Sequence, residues 1–263
     1  MLAYSYHRST NQTEDMPTLV FLHGLLGCGD DWQACTKHLK SYSILTLDLP
    51  GHGRSQDIVC EDFDQVCQQI IDTLNFVLSP NQTVIIIGYS LGARIAMYGI
   101  AKHHFDGLNL IKVIIEGGNF GLQDEASRAE RWKNDCHWAN RFSIEPIGQV
   151  LDDWYQQSVF SSLNYEQRQT LITKRSANLG GSIGRMLLAT SLAKQPSLLP
   201  ELSSSGIDIH YICGEKDSKF CQMAEQSHLS FSQIAQAGHN VHFEHPKAFA
   251  IDILNQIKAR IGE

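Results

Sequence analysis

A serine in a tight glycine turn is the strongest chemical feature of the sequence. Gly88-Tyr-Ser-Leu-Gly92 directly follows an apolar run at 84–87 and opens a helical pattern at 91–103. This strand–turn–helix context is what a G-x-S-x-G nucleophile elbow requires, because its glycines permit a sharp turn that exposes the serine. The bare five-residue pattern also arises by chance, so it is the context that favours Ser90 as a nucleophile or base.

Two backbone N–H groups near Ser90 could stabilise a developing oxyanion. The N–H of Leu91 lies in the first turn of the predicted helix, where the helix dipole favours negative charge. A second motif, His23-Gly-Leu-Leu-Gly27, follows another short apolar run, and its glycines could aim the N–H of Leu25 into the same pocket. The alternative is an ordinary turn, and the segment 48–55 (Asp-Leu-Pro-Gly-His-Gly-Arg-Ser) is interpreted as such a structural turn.

A histidine and an acid that could activate Ser90 lie near the end of the chain. A hydroxyl becomes reactive when a histidine takes its proton and an acid orients that histidine. Asp217 follows an apolar run at 209–213, and His239 follows a glycine in a loop before the last predicted helix. The chain order Ser, Asp, His fits this architecture. Alternatives stay open for the acid (Glu215, Glu116) and for the base (His242, His245).

Short apolar runs alternate with longer amphipathic segments along much of the chain. Runs rich in β-branched residues predict strands at 18–22, 43–47, 84–88, 113–115 and 209–213. Continuous hydrophobicity is typical of strands buried on both faces, as in a parallel sheet. Helical patterns between and after them lie at 31–40, 63–78, 91–103 and 246–261. This alternation predicts an α/β fold with a doubly wound, mostly parallel sheet.

The alternation stops after Gly118. Residues 120–194 show helical patterns but no comparable strand, and carry nine Lys and Arg against eight Asp and Glu. The rest of the chain therefore holds the acidic excess behind the net charge of −7. We predict a helical cap at 120–194, inserted between core segments at 1–119 and 195–263.

Composition excludes several classes of protein. The 263 residues are 43% hydrophobic and 19% charged, unlike a disordered chain, and the negative net charge argues against a general nucleic-acid or membrane binder. No signal peptide or membrane-spanning run is visible. Seven scattered cysteines without a C-x-x-C pair argue against a disulfide framework or zinc knuckle. We expect a cytoplasmic enzyme without metal or organic cofactor, with a monomer as the simplest assembly.

Three arginines indicate what the site would bind. Arg94 lies one helical turn after Ser90, on the same face of a helix expected at the centre of the fold. A buried guanidinium needs a carboxylate partner, which is either an internal acid or an anionic substrate. Arg128 and Arg175, near the two ends of the cap, could serve the same substrate or be solvated helix charges. Arg131 shares a face with Arg128 and is the second choice there.

Nearly the whole chain resembles the α/β-hydrolase superfamily with a helical cap. Within it, the chain resembles the family of 2-succinyl-6-hydroxy-2,4-cyclohexadiene-1-carboxylate synthases of menaquinone biosynthesis. Four motifs carry this resemblance: Gly-Tyr-Ser-Leu-Gly-Ala-Arg (88–94), Glu-Gly-Gly-Asn-Phe-Gly-Leu-Gln (116–123), Asp-Trp-Tyr-Gln-Gln-Ser-Val-Phe (153–160) and Lys-Arg-Ser-Ala-Asn (174–178). It implies substrate contacts for Tyr89, Arg94, Arg128, Trp154 and Arg175. On the residues alone, Trp154 could equally be an aromatic of the cap core.

The resemblance implies a lyase acting on a small-molecule tricarboxylate, 2-succinyl-5-enolpyruvyl-6-hydroxy-3-cyclohexene-1-carboxylate. Ser90, activated by His239 and Asp217, is predicted to remove the ring proton α to the succinyl ketone, and pyruvate leaves. The N–H groups of Leu25 and Leu91 are predicted to hold the enolate-like charge. Two alternatives remain: a serine hydrolase (carboxylesterase, thioesterase or carbon–carbon bond hydrolase) of an anionic substrate, and a non-catalytic binding protein, which fits a complete triad poorly.

Overall fold

A single sheet forms the centre of the molecule, in a computed structural model that describes residues 1–10 and 16–261. The described strands are β1 Tyr4–His7, β2 Thr18–Leu22, β3 Ile44–Leu47, β4 Thr83–Tyr89, β5 Asn109–Glu116, β6 Asp208–Gly214 and β7 Ser230–Ile234. They lie in the order β1-β3-β2-β4-β5-β6-β7, and of these seven only β1 runs antiparallel to its neighbour. The mostly parallel sheet confirms the predicted fold class.

Helices follow most of the strands. The described α-helices are α1 Gln33–Thr36, α2 Phe63–Val77, α3 Leu91–Ala101, α4 Glu125–Ile144, α5 Ile147–Trp154, α6 Tyr165–Arg175, α7 Gly180–Ala189, α8 Leu199–Ser204, α9 Ser218–Ser227, α10 Val241–Glu244 and α11 Pro246–Ile261. Helix α2 shows the local cause: the Asp62 carboxylate caps it by accepting the N–H of Gln65, and its buried apolar residues recur at helical spacing. Among the described residues, no helix combines the length and apolarity needed to cross a membrane.

Two apolar layers cover the two faces of the sheet. Helices α2, α3, α8 and α9 pack on one face, and α1 and α11 pack with Trp32 on the other. Strand β2 contributes to both layers, with Val20 and Leu22 in the first and Leu19 and Phe21 in the second. Burial on both faces explains why this strand is continuously apolar. The same burial holds β2 and β4 in place, and the loops that follow these two strands start from fixed positions.

The predicted central strands exist, and the two edge strands were missed. Strands β1 and β7 pair on one side only and are partly exposed, so their sequences (YSYH and SFSQI) contain no continuous apolar run. The predicted helix at 31–40 is shorter than expected: a 3-10 turn at Gly29–Trp32 precedes the four-residue α1. Helix α9 was also not predicted.

Helices α4 to α7 occupy the predicted cap segment. A third apolar cluster, which includes Trp138, Phe142, Val150, Leu151 and Leu171, holds these helices together. Leu26, from the loop after β2, belongs to the same cluster. The helical segment is therefore packed directly onto the loop that the sequence analysis placed beside Ser90.

Candidate active site

Ser90 occupies a strained turn between β4 and α3. Its φ of 49° and ψ of −104° are unfavourable for a residue with a side chain, and its N–H donates to the Glu116 carbonyl oxygen at 2.8 Å. A Cβ atom at Gly88 would lie 2.6 Å from a backbone nitrogen of α3, and one at Gly92 would collide with the carbonyl oxygen of Leu22. Both glycines are therefore required for the turn that presents the serine at the carboxyl edge of the sheet.

An acid–imidazole pair lies across the same edge. The His239 Nδ1–H donates to the Asp217 carboxylate at 2.7 Å. Asp217 directly follows β6, and the His239 ring packs between Tyr89, at 5.4 Å, and Phe220, at 4.6 Å. A Cβ at Gly117, whose φ is +59°, would lie 2.7 Å from the imidazole. Because Nδ1–H is held by the acid, Nε2 is the nitrogen left to accept a proton.

Ser90 and His239 open into one cavity of about 280 Å³. The Ser90 hydroxyl makes no hydrogen bond to another described residue; in free enzymes the serine–histidine contact commonly tightens only when substrate binds. The wall combines aromatic, amide and charged side chains, among them Tyr89, Arg131, Asn134, Asp135, Trp154, Tyr155, Gln157, Phe160, Arg175, Lys219, Phe220 and Asn240. A polar ligand of moderate size therefore fits next to the serine.

Two backbone donors beside Ser90 are unoccupied. The N–H of Leu91 is in the first position of α3, and the N–H of Leu25 lies in the loop that forms part of the cavity wall. Within the described residues, neither N–H has a hydrogen-bond acceptor. An oxyanion hole needs such preorganised donors, free to meet charge that develops during reaction. The assignment of these two groups remains a prediction that this geometry favours.

One of the alternative acids, Glu116, pairs with one of the alternative bases, His242. Glu116 is fully buried and accepts the His242 backbone N–H at 3.0 Å and its Nδ1–H at 2.8 Å. Glu215 and His245 make no hydrogen bond to Ser90, Asp217 or His239 among the described contacts. Asp217 and His239 therefore remain the residues best placed to act on Ser90.

Arg94 is buried without a carboxylate partner. Its Nε donates to the Gln195 side-chain oxygen and its Nη2 to the Thr190 carbonyl, both at 2.7 Å, and the guanidinium lies 5.3 Å from the Phe63 ring centroid. Within the described residues, no ion pair involves Arg94 and its Nη1 makes no hydrogen bond. Burial lowers the pKa of Arg94 to about 9, which still leaves it cationic at neutral pH. The guanidinium is not itself part of the cavity wall.

The two arginines of α4 have different surroundings. Arg128 donates to the carbonyl oxygens of Leu122, at 2.8 Å, and Gln195, at 3.1 Å, and borders a separate shallow groove. Arg131 lines the cavity with Ser90, although Asp135 accepts its Nε–H at 2.8 Å. In this structure Arg131, the second choice, lines the cavity, and Arg128, the first choice, does not. A substrate contact for Arg128 stays a prediction and would require it to leave three carbonyl partners, the third being that of Ala193 at 3.4 Å.

Arg175 is 8% exposed and forms a bidentate ion pair. Its Nη1 and Nη2 each lie 2.7 Å from an oxygen of Asp31, in the turn after β2. Although burial opposes it, the Asp31 charge raises the pKa of Arg175, and in return Arg175 lowers the pKa of Asp31. The Arg175 Nε is buried without an acceptor among the described residues. Arg175, which lines the cavity, therefore has one N–H donor that is not hydrogen-bonded to a described residue.

The two predicted aromatic contacts both lie in the cavity wall. The Tyr89 hydroxyl donates to the Asn240 side-chain oxygen, and Trp154 packs edge-on against Trp138 at 5.0 Å. Trp154 thus belongs to the cap core and to the cavity wall at once.

Several wall residues were not identified from the sequence. Lys219 and Phe220 follow Asp217 by two and three positions, so their proximity to a predicted site residue was an available signal. Gln157 lies in the 153–160 motif that carries the family resemblance, whereas nothing in the local sequence marks Asn134.

Comparison with known proteins places this geometry in a family. The sequence matches the alpha/beta hydrolase family over residues 19–253. A protein of Yersinia enterocolitica named 2-succinyl-6-hydroxy-2,4-cyclohexadiene-1-carboxylate synthase is 44% identical over 239 residues, which are 91% of this chain and 86% of the relative. This chain belongs to that synthase family of alpha/beta hydrolases.

Solved structures agree with this family assignment. MenH from S. aureus superposes with a TM-score of 0.90 at 26% identity and covers 99% of both chains. A thermophilic esterase from Thermogutta terrifontis, with malate bound, superposes with a TM-score of 0.81 at 19% identity. The superposition covers 98% of this chain and 93% of the esterase chain. At that identity the esterase shares the fold alone, so esterase activity does not follow from the likeness.

Proposed function

We propose that this protein is a lyase that eliminates pyruvate from 2-succinyl-5-enolpyruvyl-6-hydroxy-3-cyclohexene-1-carboxylate. The product is 2-succinyl-6-hydroxy-2,4-cyclohexadiene-1-carboxylate, an intermediate of menaquinone biosynthesis. The observation that carries the reaction is the 44% identity over 91% of the chain to a synthase named for this product. The geometry supports it, because Ser90, the loop residue Leu25 and the imidazole that Asp217 holds line a cavity whose wall includes cationic side chains.

The ring positions of the double bonds define the electron flow. The substrate has its double bond at C3 and the product has two, at C2 and C4. Loss of the C2 proton, which is α to the succinyl ketone, forms the C2–C3 double bond and moves the original one to C4–C5. The C5–O bond breaks as the C4–C5 double bond forms, and the enolpyruvate released takes up one proton at its methylene carbon, in place of the proton lost from C2, to become pyruvate. Water is not consumed.

Ser90 is the proposed general base. Its hydroxyl proton passes to the Nε2 of His239 while the Oγ takes the C2 proton, and Asp217 holds the imidazole by its Nδ1–H. Negative charge develops on the succinyl ketone oxygen as the C–H bond breaks. The N–H groups of Leu25 and Leu91 are the proposed donors to that oxygen.

Cationic side chains are the proposed partners of the substrate carboxylates. Lys219 has no acidic partner among the described residues, and Arg94 is bound to neutral acceptors only. Arg131 and Arg175 line the cavity but are each shared with one protein carboxylate. A polycarboxylate ligand suits this arrangement because guanidinium groups bind carboxylates through paired N–H donors.

We infer no need for a cofactor or a second subunit, and propose that the enzyme acts in the cytoplasm as a monomer.

Pyruvate release measured with lactate dehydrogenase tests the reaction. Freshly prepared enolpyruvyl substrate and a panel of p-nitrophenyl esters are given to the same enzyme sample. Rapid pyruvate release with weak ester hydrolysis is expected. Brisk ester hydrolysis with pyruvate release at the uncatalysed rate would instead support the alternative, a serine hydrolase of another anionic substrate. Cell fractionation and size-exclusion chromatography of the active material test the location and the monomeric state.

A further inference from the structure

Two buried histidines border the loop that carries Leu25. The rings of His23 and His52 lie 5.0 Å apart and are 1% and 0% exposed, and the proposed chemistry uses neither. We propose that they are positioning residues that direct the Leu25 N–H toward the oxyanion beside Ser90. This inference rests on the proposed function in one respect only: it takes Leu25 as a donor to reacting substrate.

His23 holds the peptide that contains this N–H together with the Gly27 N–H, which donates to the same Gly24 carbonyl at 3.0 Å. Its Nε2 accepts the Leu49 N–H at 2.9 Å, so the ring proton lies on Nδ1, which donates to the Gly24 carbonyl at 2.7 Å. In a trans peptide the C=O of one residue and the N–H of the next point in opposite directions. Holding the Gly24 carbonyl on the His23 side therefore turns the Leu25 N–H to the other side.

The other side of that peptide is the cavity. Leu25 lines it, and its N–H has no acceptor among the described residues. A Cβ on Gly24 would lie 2.7 Å from the Tyr89 ring and 3.5 Å from the Ser90 Cβ, so the loop packs directly on the elbow. A hydrogen bond to the Gly24 carbonyl also polarises the peptide and strengthens its N–H as a donor.

His52 fixes the next peptide. Its Nδ1–H donates to the Pro50 carbonyl at 2.8 Å, and its Nε2 accepts the Leu26 N–H at 3.0 Å. Leu26 has a φ of +70°, which is unfavourable for a branched side chain, and its carbonyl accepts a hydrogen bond from Asn178 at 3.0 Å. An unfavourable conformation persists only where its surroundings hold it, and here an imidazole and a cap asparagine do so.

Replacement of His52 by glutamine and by asparagine tests the role. A glutamine side chain can place an amide oxygen near the position of Nε2 and keep the Leu26 bond, whereas asparagine is too short to reach it. We expect His52→Gln to retain kcat within about threefold and His52→Asn to lose roughly ten- to hundredfold in kcat, because one misdirected oxyanion donor weakens transition-state binding. KM should change little, and the amide NMR shift of Leu25 should move in His52→Asn only.

A matched control removes another buried histidine. His210 is 2% exposed and bonds through both ring nitrogens to Ser230 and Ser232 in the distant edge strand β7. His210→Asn should leave kcat and the Leu25 amide unchanged at a temperature where all variants are folded. Equal kcat and equal Leu25 shifts in His52→Gln and His52→Asn would overturn the proposal. If the wild type releases no pyruvate, the proposed function fails, but the Leu25 amide shift still decides whether the histidines hold this peptide.

Discussion

Arg94 combines two properties that rarely occur together in one residue. It is deeply buried one turn from Ser90, yet its bonded partners are a side-chain amide and a backbone carbonyl. A cation in that position gains little stability from the fold, because its desolvation is not offset by a protein carboxylate. Its charge is therefore not neutralised by a described carboxylate, although the guanidinium does not line the Ser90 cavity in this structure.

We predict that Arg94→Met lowers kcat/KM for pyruvate release roughly 100-fold, a loss of about 2.7 kcal/mol in transition-state stabilisation. Thermal unfolding of the same variant should show only a modest change, because removal of an unpaired buried charge offsets the loss of the hydrogen bonds to Gln195 and Thr190. Arg185→Met, at an exposed position that does not line the Ser90 cavity, provides the comparison. An unchanged kcat/KM in Arg94→Met would remove Arg94 from the site.

Glu116 and His242 form a buried pair behind Tyr89. The carboxylate accepts two N–H groups of His242 and so ties the end of β5 to the loop that carries His239. Glu116→Gln should lower the free energy of unfolding by about 1–3 kcal/mol, since the amide cannot accept both bonds equally well. Urea denaturation measures this. Glu215→Gln, at an exposed position, should change the free energy of unfolding by less than about 0.5 kcal/mol. Equal losses of stability in the two variants would contradict the pairing of Glu116 with His242.

The cap is joined to the loop after β2 by an ion pair and a hydrogen bond, in addition to the packing of Leu26 in the cap cluster. Arg175 of α6 pairs with Asp31, and Asn178 donates to the Leu26 carbonyl. The cap therefore does more than cover the cavity, since it holds the loop that presents the Leu25 N–H.

Breaking the ion pair on one side should be costly. Asp31→Asn leaves Arg175 buried without its carboxylate, and we expect a loss of about 3 kcal/mol in unfolding free energy, because an uncompensated buried charge is strongly destabilising. The double variant Asp31→Leu with Arg175→Met should recover most of it. For comparison, Asp106→Asn breaks the exposed pair with His103 and should cost little. A loss that the double variant does not recover would mean that the pair is not the cause.

Sequence patterns predicted the central strands because they are buried on both faces. Ser90 and Asp217 could be proposed for a related reason, because each comes directly after an apolar strand, whereas His239 was indicated by the glycine before it and the helix after it. The edge strands β1 and β7 lack that burial and were missed. The partners of Arg94 could not be foreseen, because Gln195 and Thr190 are about one hundred positions away and are brought near by the cap.

For the molecule as a whole, two buried neutral histidines predict how stability depends on pH. Burial lowers the pKa of His23 and lowers that of His52 to about 3, against an ordinary value of 6.5. Between pH 3 and 6.5 the unfolded chain binds more protons at His52 than the folded protein does, and the lowered pKa of His23 acts in the same direction. The free energy of unfolding should therefore fall as pH falls through this window, by up to about 1.4 kcal/mol per pH unit for His52.

Urea unfolding at pH 5, 6 and 7 tests this dependence. The wild type should lose stability steadily toward pH 5. His52→Gln, which keeps an acceptor for the Leu26 N–H without a titrating group, should show a shallower slope. Identical slopes in the two proteins would mean that His52 is not held neutral by burial.

We infer that Ser90 removes a proton and that Ser90, His239 and Asp217 serve a lyase. Single-turnover pyruvate release by wild type and Ser90→Ala, with substrate affinity measured in parallel, tests this role. We expect Ser90→Ala to bind substrate within about threefold of wild type and to release pyruvate at least ~10³-fold more slowly. Release of pyruvate by Ser90→Ala at the wild-type rate would contradict it.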